Sequence, residues 1–228
     1  MSRNCLLSLI SLVFCGIKKR DVDAPIYLQI FIYCNILVMN SIIGENMDDK
    51  HLIETELKNN TLFTGRIINL RDDDVLLPNG KQAKREYVEH RGGASILAVD
   101  DEKNVYLVRQ FRYPYREVLL EIPAGKLEKG EDPATTAARE LEEETGFVGD
   151  IKPYGLIYPT PGYTNEHLYV FLAENLKPTH VHCDEDEFLD VVKLPIQTVL
   201  KDILDGKIKD GKTCYAVLKY AVENKLPY

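Results

Sequence analysis

The chain lacks the paired cysteines of a small secreted protein. It has five cysteines, of which Cys5, Cys15 and Cys34 lie in the first stretch, and Cys183 and Cys214 lie in the remainder. Cysteines distributed in this way do not form a disulfide framework, and such usage is typical of a reducing compartment. We therefore expect a cytoplasmic protein whose fold does not depend on disulfide bonds.

The chain also lacks an excess of positive charge. Lysine and arginine number 28 against 36 aspartate and glutamate residues, which gives a net charge of −8 and a pI near 5.2. Because binding to a phosphate backbone needs a basic surface, this balance argues against a nucleic acid as partner. A small anionic substrate is still possible, since bound metal ions and a few arginines can reverse the charge locally.

Neither of two apolar runs near the N-terminus is long enough to span a membrane. They cover residues 5–17 and 24–39, and a spanning helix needs roughly 20 residues. The basic cluster at 18–20 follows the first run, whereas in a secretory signal it would precede it. We expect no membrane association. Three interpretations stay open for this region: a membrane anchor, a partly ordered extension, or sequence translated upstream of the true start.

The pattern of a globular domain begins only after Met47. From there the chain contains no internal repeat, no low-complexity tract and no interdomain linker. Met39 and Met47 are both possible first residues. We favour the interpretation that the sequence before the true start does not belong to the real protein. We expect residues 1–46 to be an N-terminal extension outside the fold and residues 47–228 to form one catalytic domain.

Alternating and apolar runs in this domain predict mostly strands, followed by helices. A hairpin turn is predicted at 78–81, where Pro-Asn-Gly-Lys separates two strands. Strands are predicted at 62–70, 75–77, 84–90, 93–99, 105–111, 119–122, 155–158, 167–174 and 188–194, and helices at 196–204 and 213–224. This order favours an α/β (α+β) fold in which a mixed β-sheet is sandwiched between helices.

The segment 125–147 contains one further helix with clear signals at both ends. Asp132 precedes Pro133, which suits an N-cap followed by proline at the first helical position. No helix-breaking residue follows until Gly146, which suits the position just beyond a helix.

This helix places three carboxylates, those of Glu140, Glu143 and Glu144, on one face, because they are spaced at i, i+3 and i+4. Arg139 can offset part of their repulsion through Glu143. A divalent metal ion offsets far more, and several oxygen ligands suit Mg²⁺ or Mn²⁺. A solvated acidic helix face is the alternative, but it does not explain the glycines at both ends of the segment or the distant Glu131.

The segment fits the pattern G-x5-E-x7-R-E-U-x-E-E-x-G-U, in which U is bulky and apolar, at every specified position. That pattern is the Nudix box, and the chain resembles the Nudix hydrolases, which cleave nucleoside diphosphates linked to another group. The resemblance implies an α/β/α sandwich. Segments 84–86, 108–112, 120–125 and 160–166 are similar to the bacterial ADP-ribose pyrophosphatase subfamily, for which a proline about fifteen residues beyond the box, here Pro161, is a marker.

The resemblance implies a metal site and the residues that support it. It assigns Glu140 and Glu144 as principal ligands of Mg²⁺ or Mn²⁺, with Glu143 near them and the Ala124 carbonyl completing the site. It also implies an ionic brace between Glu131 and Arg139 that orients the ligand carboxylates. We expect Gly125 to let the loop turn so that the preceding carbonyl points at the metal.

The same resemblance implies a nucleotide substrate and a homodimer. Arg112 is similar to an arginine that contacts the phosphates of the substrate, and Pro161 and Gly162 belong to a segment that we expect beside the substrate. Arg85 and Glu86 match positions that reach the substrate from the partner subunit of a strand-exchanged dimer.

A general base is expected from the acidic loop 184–187, which lies well downstream of the box. Glu187, directly before the predicted strand, is the first candidate and Glu185 the second, with Glu143 of the box as a third. A solvated acidic loop is the alternative interpretation of this segment.

The predicted reaction is hydrolysis of the ADP-ribose diphosphate to AMP and ribose 5-phosphate. The alternative is hydrolysis of another nucleoside diphosphate sugar such as GDP-mannose, because the box says nothing about the base. A non-catalytic sensor that binds ADP-ribose is less favoured, since such a protein would be expected to have lost a box carboxylate and none is lost.

Overall fold

The computed structural model describes residues 49–180 and 188–227. The chain divides into two units, Met1–Ile53 and Glu54–Tyr228. The described part of the first unit contains a short 3₁₀ helix, Asp49–His51, and the strands and α-helices given below lie in the second unit. The predicted domain boundary at residues 46 and 47 lies outside the described residues and stays a prediction.

The second unit begins with a small antiparallel sheet of four strands: β1 (Thr55–Lys58), β2 (Thr61–Thr64), β3 (Asn69–Leu76) and β4 (Gln82–Glu89). β1 and β2 follow one another along one edge of β3, and β4 pairs with its other edge. In the β3–β4 turn the amide of Leu77 donates to the carbonyl of Lys81 at 2.8 Å, and Gly80 has a φ of 80°. The predicted hairpin is confirmed.

Three main details of this sheet differ from the prediction. Strands are predicted at 62–70 and 75–77, whereas β3 runs without a break over Asn69–Leu76. The strand predicted at 62–70 is broken at Gly65, whose amide donates instead to the carbonyl of Ile68 at 2.9 Å. β1 was not predicted, because Thr-Glu-Leu-Lys is exposed at all four positions and carries no apolar alternation. Pairing with β3 decides the conformation of β1, and that pairing is not visible in a local sequence pattern.

The larger sheet has seven strands: β5 (Gly93–Val99), β6 (Asn104–Arg112), β7 (Glu117–Glu121), β8 (Ala124–Lys126), β9 (Phe147–Ile157), β10 (Leu168–Pro178) and β11 (Leu189–Pro195). The order is β11-β6-β5-β10-β9, and β10 is parallel to β5. β5 pairs with β6 only at Ala98 and Val99. Beyond that point β7 pairs with β6 and β8 pairs with β5, so the sheet splits.

Three helices cover this sheet: α1 (Pro133–Thr145), α2 (Ile196–Leu204) and α3 (Gly211–Glu223). β5 is buried along its whole length and sends alternate side chains to opposite faces. Leu97 belongs to a core with α2 and α3, whereas Ile96 belongs to a second core with Ala137 and Leu141 of α1. The predicted mixed sheet between helices is therefore confirmed.

The ends of α1 are those that its sequence predicts. The Asp132 carboxylate accepts hydrogen bonds from the amides of Ala134 and Thr135 at 3.1 and 3.3 Å, and Pro133 occupies the first turn. Gly146 ends the helix with a φ of 72°, in the left-handed region that glycine adopts without strain.

The strand after α1 is longer than predicted. β9 runs over Phe147–Ile157, whereas the sequence indicated only residues 155–158, because Gly149, Lys152 and Pro153 interrupt the apolar alternation. Its pairing with β10 has register shifts beside Gly149 and Pro153. Among the described helices, none is long and apolar enough to cross a membrane.

Candidate active site

A cavity of about 1130 Å³ lies beside β8 and α1. Pockets that bind small molecules measure roughly 300–1,000 Å³, so this one is large enough for a nucleotide with a second group attached. The segment after β9 and the start of α3 also line it. Ala124 lines the cavity, and the predicted box contributes Gly125, Arg139, Glu140, Glu143 and Glu144 to the lining.

Glu140 and Glu144 are buried carboxylates in the wall of this cavity. Glu140 is 6% exposed to solvent and Glu144 is 3% exposed, and the two lie one turn apart on α1. Oε2 of Glu144 accepts a hydrogen bond from the Ala124 amide at 3.1 Å, which ties the helix to β8. Glu143 is only half-buried on the same face. Carboxylates at this depth need compensating positive charge, because burial of an unpaired charge is costly.

Gly125 is required for space. A Cβ atom at this position would lie 1.6 Å from Oε1 of Glu140, and Gly125 is not among the glycines with positive φ. It lies in β8, paired with Ala94. The expectation that glycine serves a turn here is therefore corrected, since what matters is that the Glu140 carboxylate packs directly against the backbone.

Arg139 contacts three acidic side chains of the box. Its Nη1 lies 2.9 Å from Oε1 of Glu140 and 2.8 Å from Oε2 of Glu143, and its Nε lies 3.6 Å from Oε1 of Glu131. Burial alone would lower the pKa of Arg139, but the neighbouring carboxylates outweigh it and the pKa is raised. Arg139 therefore stays charged and holds these side chains together.

Glu131 is held from two directions. A hydrogen bond from the Glu128 amide, at 3.1 Å, and the nearby Arg139 charge both lower the pKa of Glu131. The contact between Glu131 and Arg139 is thus present in the fold, and its role in orienting metal ligands stays a prediction.

The residues present fit a hard divalent cation. Two buried carboxylates and a half-buried third line one cavity, and their oxygen donors are those that Mg²⁺ and Mn²⁺ prefer. Within residues 49–180 and 188–227, no three acidic, histidine or cysteine side chains are already gathered as a metal-binding group. Nη1 of Arg139 lies instead between Glu140 and Glu143.

A second ionic cluster, formed by Arg112, Glu121, Lys212 and Asp210, also borders the cavity. Glu121 is fully buried at the end of β7 and accepts two hydrogen bonds from Arg112, both at 2.7 Å. Lys212 contacts Glu121 as well and lies 2.9 Å from Asp210. Arg112, Asp210 and Lys212 line the cavity. Of these four residues, only Arg112 is predicted from the sequence as a site residue.

His90 is another cavity residue that is not predicted from the sequence. Its Nδ1 accepts a hydrogen bond from the Gly92 amide at 3.0 Å and lies 3.8 Å from Glu166. Burial lowers the pKa of His90, which Glu166 offsets only in part. A neutral ring with Nδ1 as acceptor presents Nε2–H as a donor. A single histidine at the end of a strand offers no pattern by which the sequence could have revealed it.

The remaining predicted residues lie elsewhere. Arg85 and Glu86 are exposed on β4, and Nε of Arg85 donates to Glu54 of the same chain at 2.8 Å. Pro159 and Thr160 line the cavity, while Pro161 and Gly162 belong to the turn that follows. The candidate bases Glu185 and Glu187 lie outside the described residues.

Two known domains match stretches of the second unit. Residues 89–213 match the NUDIX domain, and residues 54–88 match the nucleoside diphosphate sugar hydrolase N-terminal domain. The second match coincides with the small sheet β1–β4, and the first contains the cavity-lining part of α1.

Three relatives show the extent of the similarity. The chain is 44% identical to "ADP-ribose pyrophosphatase" of Bacillus subtilis (strain 168) over 171 residues, 74% of this chain and 92% of that protein. It is 40% identical to "Methanol dehydrogenase activator" of Bacillus methanolicus, over 77% of this chain and 96% of that protein. It is 36% identical to "GDP-mannose pyrophosphatase" of Enterobacter sp. (strain 638), over 61% of this chain and 79% of that protein. With its complete box in a matching fold, the chain belongs to the Nudix hydrolase family.

Proposed function

We propose that this protein hydrolyses the diphosphate of ADP-ribose to AMP and ribose 5-phosphate with Mg²⁺ or Mn²⁺. The observation that carries the proposal is the pair of buried box carboxylates, Glu140 and Glu144, at a nucleotide-sized cavity. The substrate is supported by 44% identity to a Bacillus ADP-ribose pyrophosphatase over 92% of its length. A non-catalytic sensor is not favoured, because every box carboxylate is present.

Each box residue has a part in this activity. A bound divalent ion neutralises the phosphoryl oxygens. Glu140 and Glu144 would hold it, together with Glu143 and the Ala124 carbonyl. Arg139 orients the carboxylates through its contacts at 2.8 and 2.9 Å.

Substrate contact and proton removal fall to other residues. Arg112 lines the cavity and would contact the substrate phosphates from its wall. Glu187 is proposed as the base that removes a proton from the attacking water, with Glu185 and Glu143 as the other candidates.

GDP-mannose is the second candidate substrate. A relative called "GDP-mannose pyrophosphatase" is 36% identical, and the box chemistry acts on the diphosphate that both substrates share. A substrate panel with product identification discriminates the two. AMP and ribose 5-phosphate from ADP-ribose are expected. Fast cleavage of another nucleotide sugar, with ADP-ribose left intact under either metal, would contradict the proposal.

We also propose that the chain acts as a homodimer with exchanged strands. The small sheet β1–β4 carries apolar side chains exposed by 37% or more, namely Leu57, Leu62, Phe63 and Leu70. Exposed apolar surface on one sheet supports an interaction site there. Arg85 and Glu86, exposed on β4 of the same sheet, would reach the substrate of the partner subunit.

We also propose where the catalytic domain begins and where in the cell it acts. Residues 47–228 would form the cytoplasmic enzyme, and residues 1–46 would not contribute to it. A shortened chain that begins at Met47 should be soluble, dimeric and as active per milligram as the full chain. Recovery of the native protein with Met1 at its N-terminus in a membrane fraction would contradict this assignment.

A further inference from the structure

Glu121 is a charged side chain in a place where charge is costly. Glu121 is only 1% exposed to solvent and lies at the end of β7, directly before the core residue Ile122. Burial by itself would raise the pKa of Glu121, yet Arg112 and Lys212 hold it below its ordinary value. Buried ion pairs contribute little net stability, because desolvation offsets most of their attraction. Stability alone is therefore a weak account of this cluster.

The contact between Glu121 and Arg112 fixes the plane of the guanidinium. Nε of Arg112 donates to Oε1 and Nη2 donates to Oε2, both at 2.7 Å. This side-on, two-point contact uses two of the five N–H donors that a guanidinium carries in a rigid plane. Both donors of Nη1 and one of Nη2 lie on its other edges. Since Arg112 lines the cavity, Glu121 determines how those donors are presented there.

Lys212 holds Glu121 in turn. Its side chain is only 10% exposed and contacts both Glu121 and Asp210. Asp210 is also the N-cap of α3, where it accepts hydrogen bonds from the amide and hydroxyl of Thr213 at 3.0 and 2.6 Å. The Thr213 hydroxyl accepts a hydrogen bond from the Ile122 amide at 2.8 Å. The beginning of α3 and the end of β7 are thus joined around the carboxylate.

The charges of this cluster balance only when Glu121 is ionised. Two carboxylates, those of Glu121 and Asp210, face two cations, those of Arg112 and Lys212. Loss of the Glu121 charge would leave the two cations beside each other with one carboxylate between them. The Arg112 guanidinium would then lose its two-point support and part of its neutralisation.

We propose that Glu121 is a positioning residue for substrate phosphate, which acts by holding the Arg112 guanidinium in one orientation at the cavity. The proposal rests on the proposed function, because it requires that Arg112 contacts the diphosphate of a nucleotide substrate. Lys212 supports the same orientation by contacting Glu121 from the start of α3. Glu121 itself touches no substrate in this arrangement.

A double-mutant cycle on kcat/KM tests the coupling between the two residues. Glu121→Gln, Arg112→Ala and the double variant are assayed on ADP-ribose and on the nucleotide sugar that the wild type cleaves fastest. Misplacement of a substrate-binding group costs up to about 10²-fold, and we expect a loss of about that size from Glu121→Gln. In the Arg112→Ala background the same substitution should change kcat/KM by less than about threefold, because contacting residues are not additive.

The matched control is Glu117→Gln, on the same strand. Glu117 is exposed and pairs with Lys209 at 2.7 Å, so it receives the same substitution beside the same kind of partner. We expect wild-type kcat/KM from it. Equal fold losses from Glu121→Gln in the wild-type and Arg112→Ala backgrounds would overturn the positioning role, as would wild-type activity of Glu121→Gln.

Arg112→Lys tests the orientation without removing a buried charge. Lysine keeps the cation but cannot make a planar two-point contact with Glu121, so we expect a loss close to that of Arg112→Ala. This variant keeps the test decisive if Glu121→Gln fails to fold. Wild-type kcat/KM of Arg112→Lys would overturn the proposal. If the wild type cleaves no nucleotide sugar, the proposed function is overturned as well. If the wild type is active but the losses from Glu121→Gln and Arg112→Ala are additive, only this inference is overturned.

Discussion

Gly125 and Glu140 occupy adjoining space so closely that a single methyl group would not fit between them. A Cβ atom at residue 125 would lie 1.6 Å from Oε1 and 2.1 Å from Cδ of Glu140. The carboxylate therefore rests on bare backbone of β8, at the wall of the cavity. The first glycine of the box and its buried glutamate act as one structural unit.

Gly125→Ala should abolish most of the activity while the protein still folds. The added methyl group must displace the Glu140 carboxylate, and removing one charge-stabilising group at an active site costs on the order of 10²-fold in kcat. The measurement is kcat with ADP-ribose, alongside thermal unfolding.

Gly206→Ala provides the matched control for that substitution. Gly206 has a φ of 73° and no atom within 4 Å of its would-be Cβ, so alanine there costs about 1 kcal/mol of stability through its backbone conformation. Activity should be unchanged. A fully active Gly125→Ala enzyme would show that Glu140 does not need its present position.

Glu144→Gln should lower kcat by on the order of 10³-fold and weaken activation by Mg²⁺. Its carboxylate is buried at the cavity, so the substitution removes a charge that a metal ion would bind. Glu142→Gln, a neighbour on the same helix, is the control and should stay active. Kinetics at increasing Mg²⁺ concentration measures both effects, and unchanged Mg²⁺ dependence in Glu144→Gln would remove Glu144 from the metal site.

Glu187→Gln should lower kcat but leave the Mg²⁺ dependence nearly unchanged, because a general base is not a metal ligand. The two variants, Glu144→Gln and Glu187→Gln, thus differ in metal response while both lose activity. The measurement is the same titration of kcat against Mg²⁺. Wild-type kcat in Glu187→Gln would transfer the role of base to Glu185 or Glu143.

Mixing two inactive variants should restore part of the activity if the active site is shared between subunits. Arg85→Ala would disable the contribution to the partner, and Glu144→Gln would disable the metal site, so a mixed dimer contains one complete site. Arg109→Ala, which removes an exposed ion pair with Asp190, is the control and should stay active alone. A monomer by light scattering would contradict the shared site.

Acid should weaken the fold partly through Glu121, whose pKa is lowered by Arg112 and Lys212 against the opposing effect of burial. A carboxyl whose folded pKa lies below its unfolded value contributes stability above the unfolded pKa. That contribution is lost as the pH falls through the folded pKa. Urea unfolding from about pH 7 to about pH 3 should therefore show a smaller loss for Glu121→Gln than for wild type. Equal losses would mean that folding does not lower the pKa of Glu121.

The helix of the box could be predicted almost completely from local sequence. Asp132, Pro133 and Gly146 act on the backbone within a few residues, so the limits of α1 follow from the sequence. The spacing of Glu140 and Glu144 likewise determines their shared face. The strand β9 could not be predicted in full, because its pairing with β10 overrides a poor local pattern.

Glu121 shows why part of the site escaped prediction. A single glutamate in Leu-Leu-Glu-Ile-Pro has no local sign of its partners, and Lys212 lies 91 residues away along the chain. Two signals were available: an acidic residue within an apolar strand, and the place of Glu121 in segment 120–125, which is similar to the subfamily. The contact between Glu121 and Lys212 depends on the packing of β7 beside the start of α3, which the sequence does not show.

The sequence by itself determined the family, the box helix and the carboxylates that share one face of that helix, because helical periodicity and capping depend on neighbouring residues. Only the tertiary structure decided that Gly125 makes space for Glu140 and that Arg112 is held by Glu121. It also placed His90 in the cavity. These relationships join residues that are distant in the chain, and their geometry follows from how the sheet splits and how the helices pack against it.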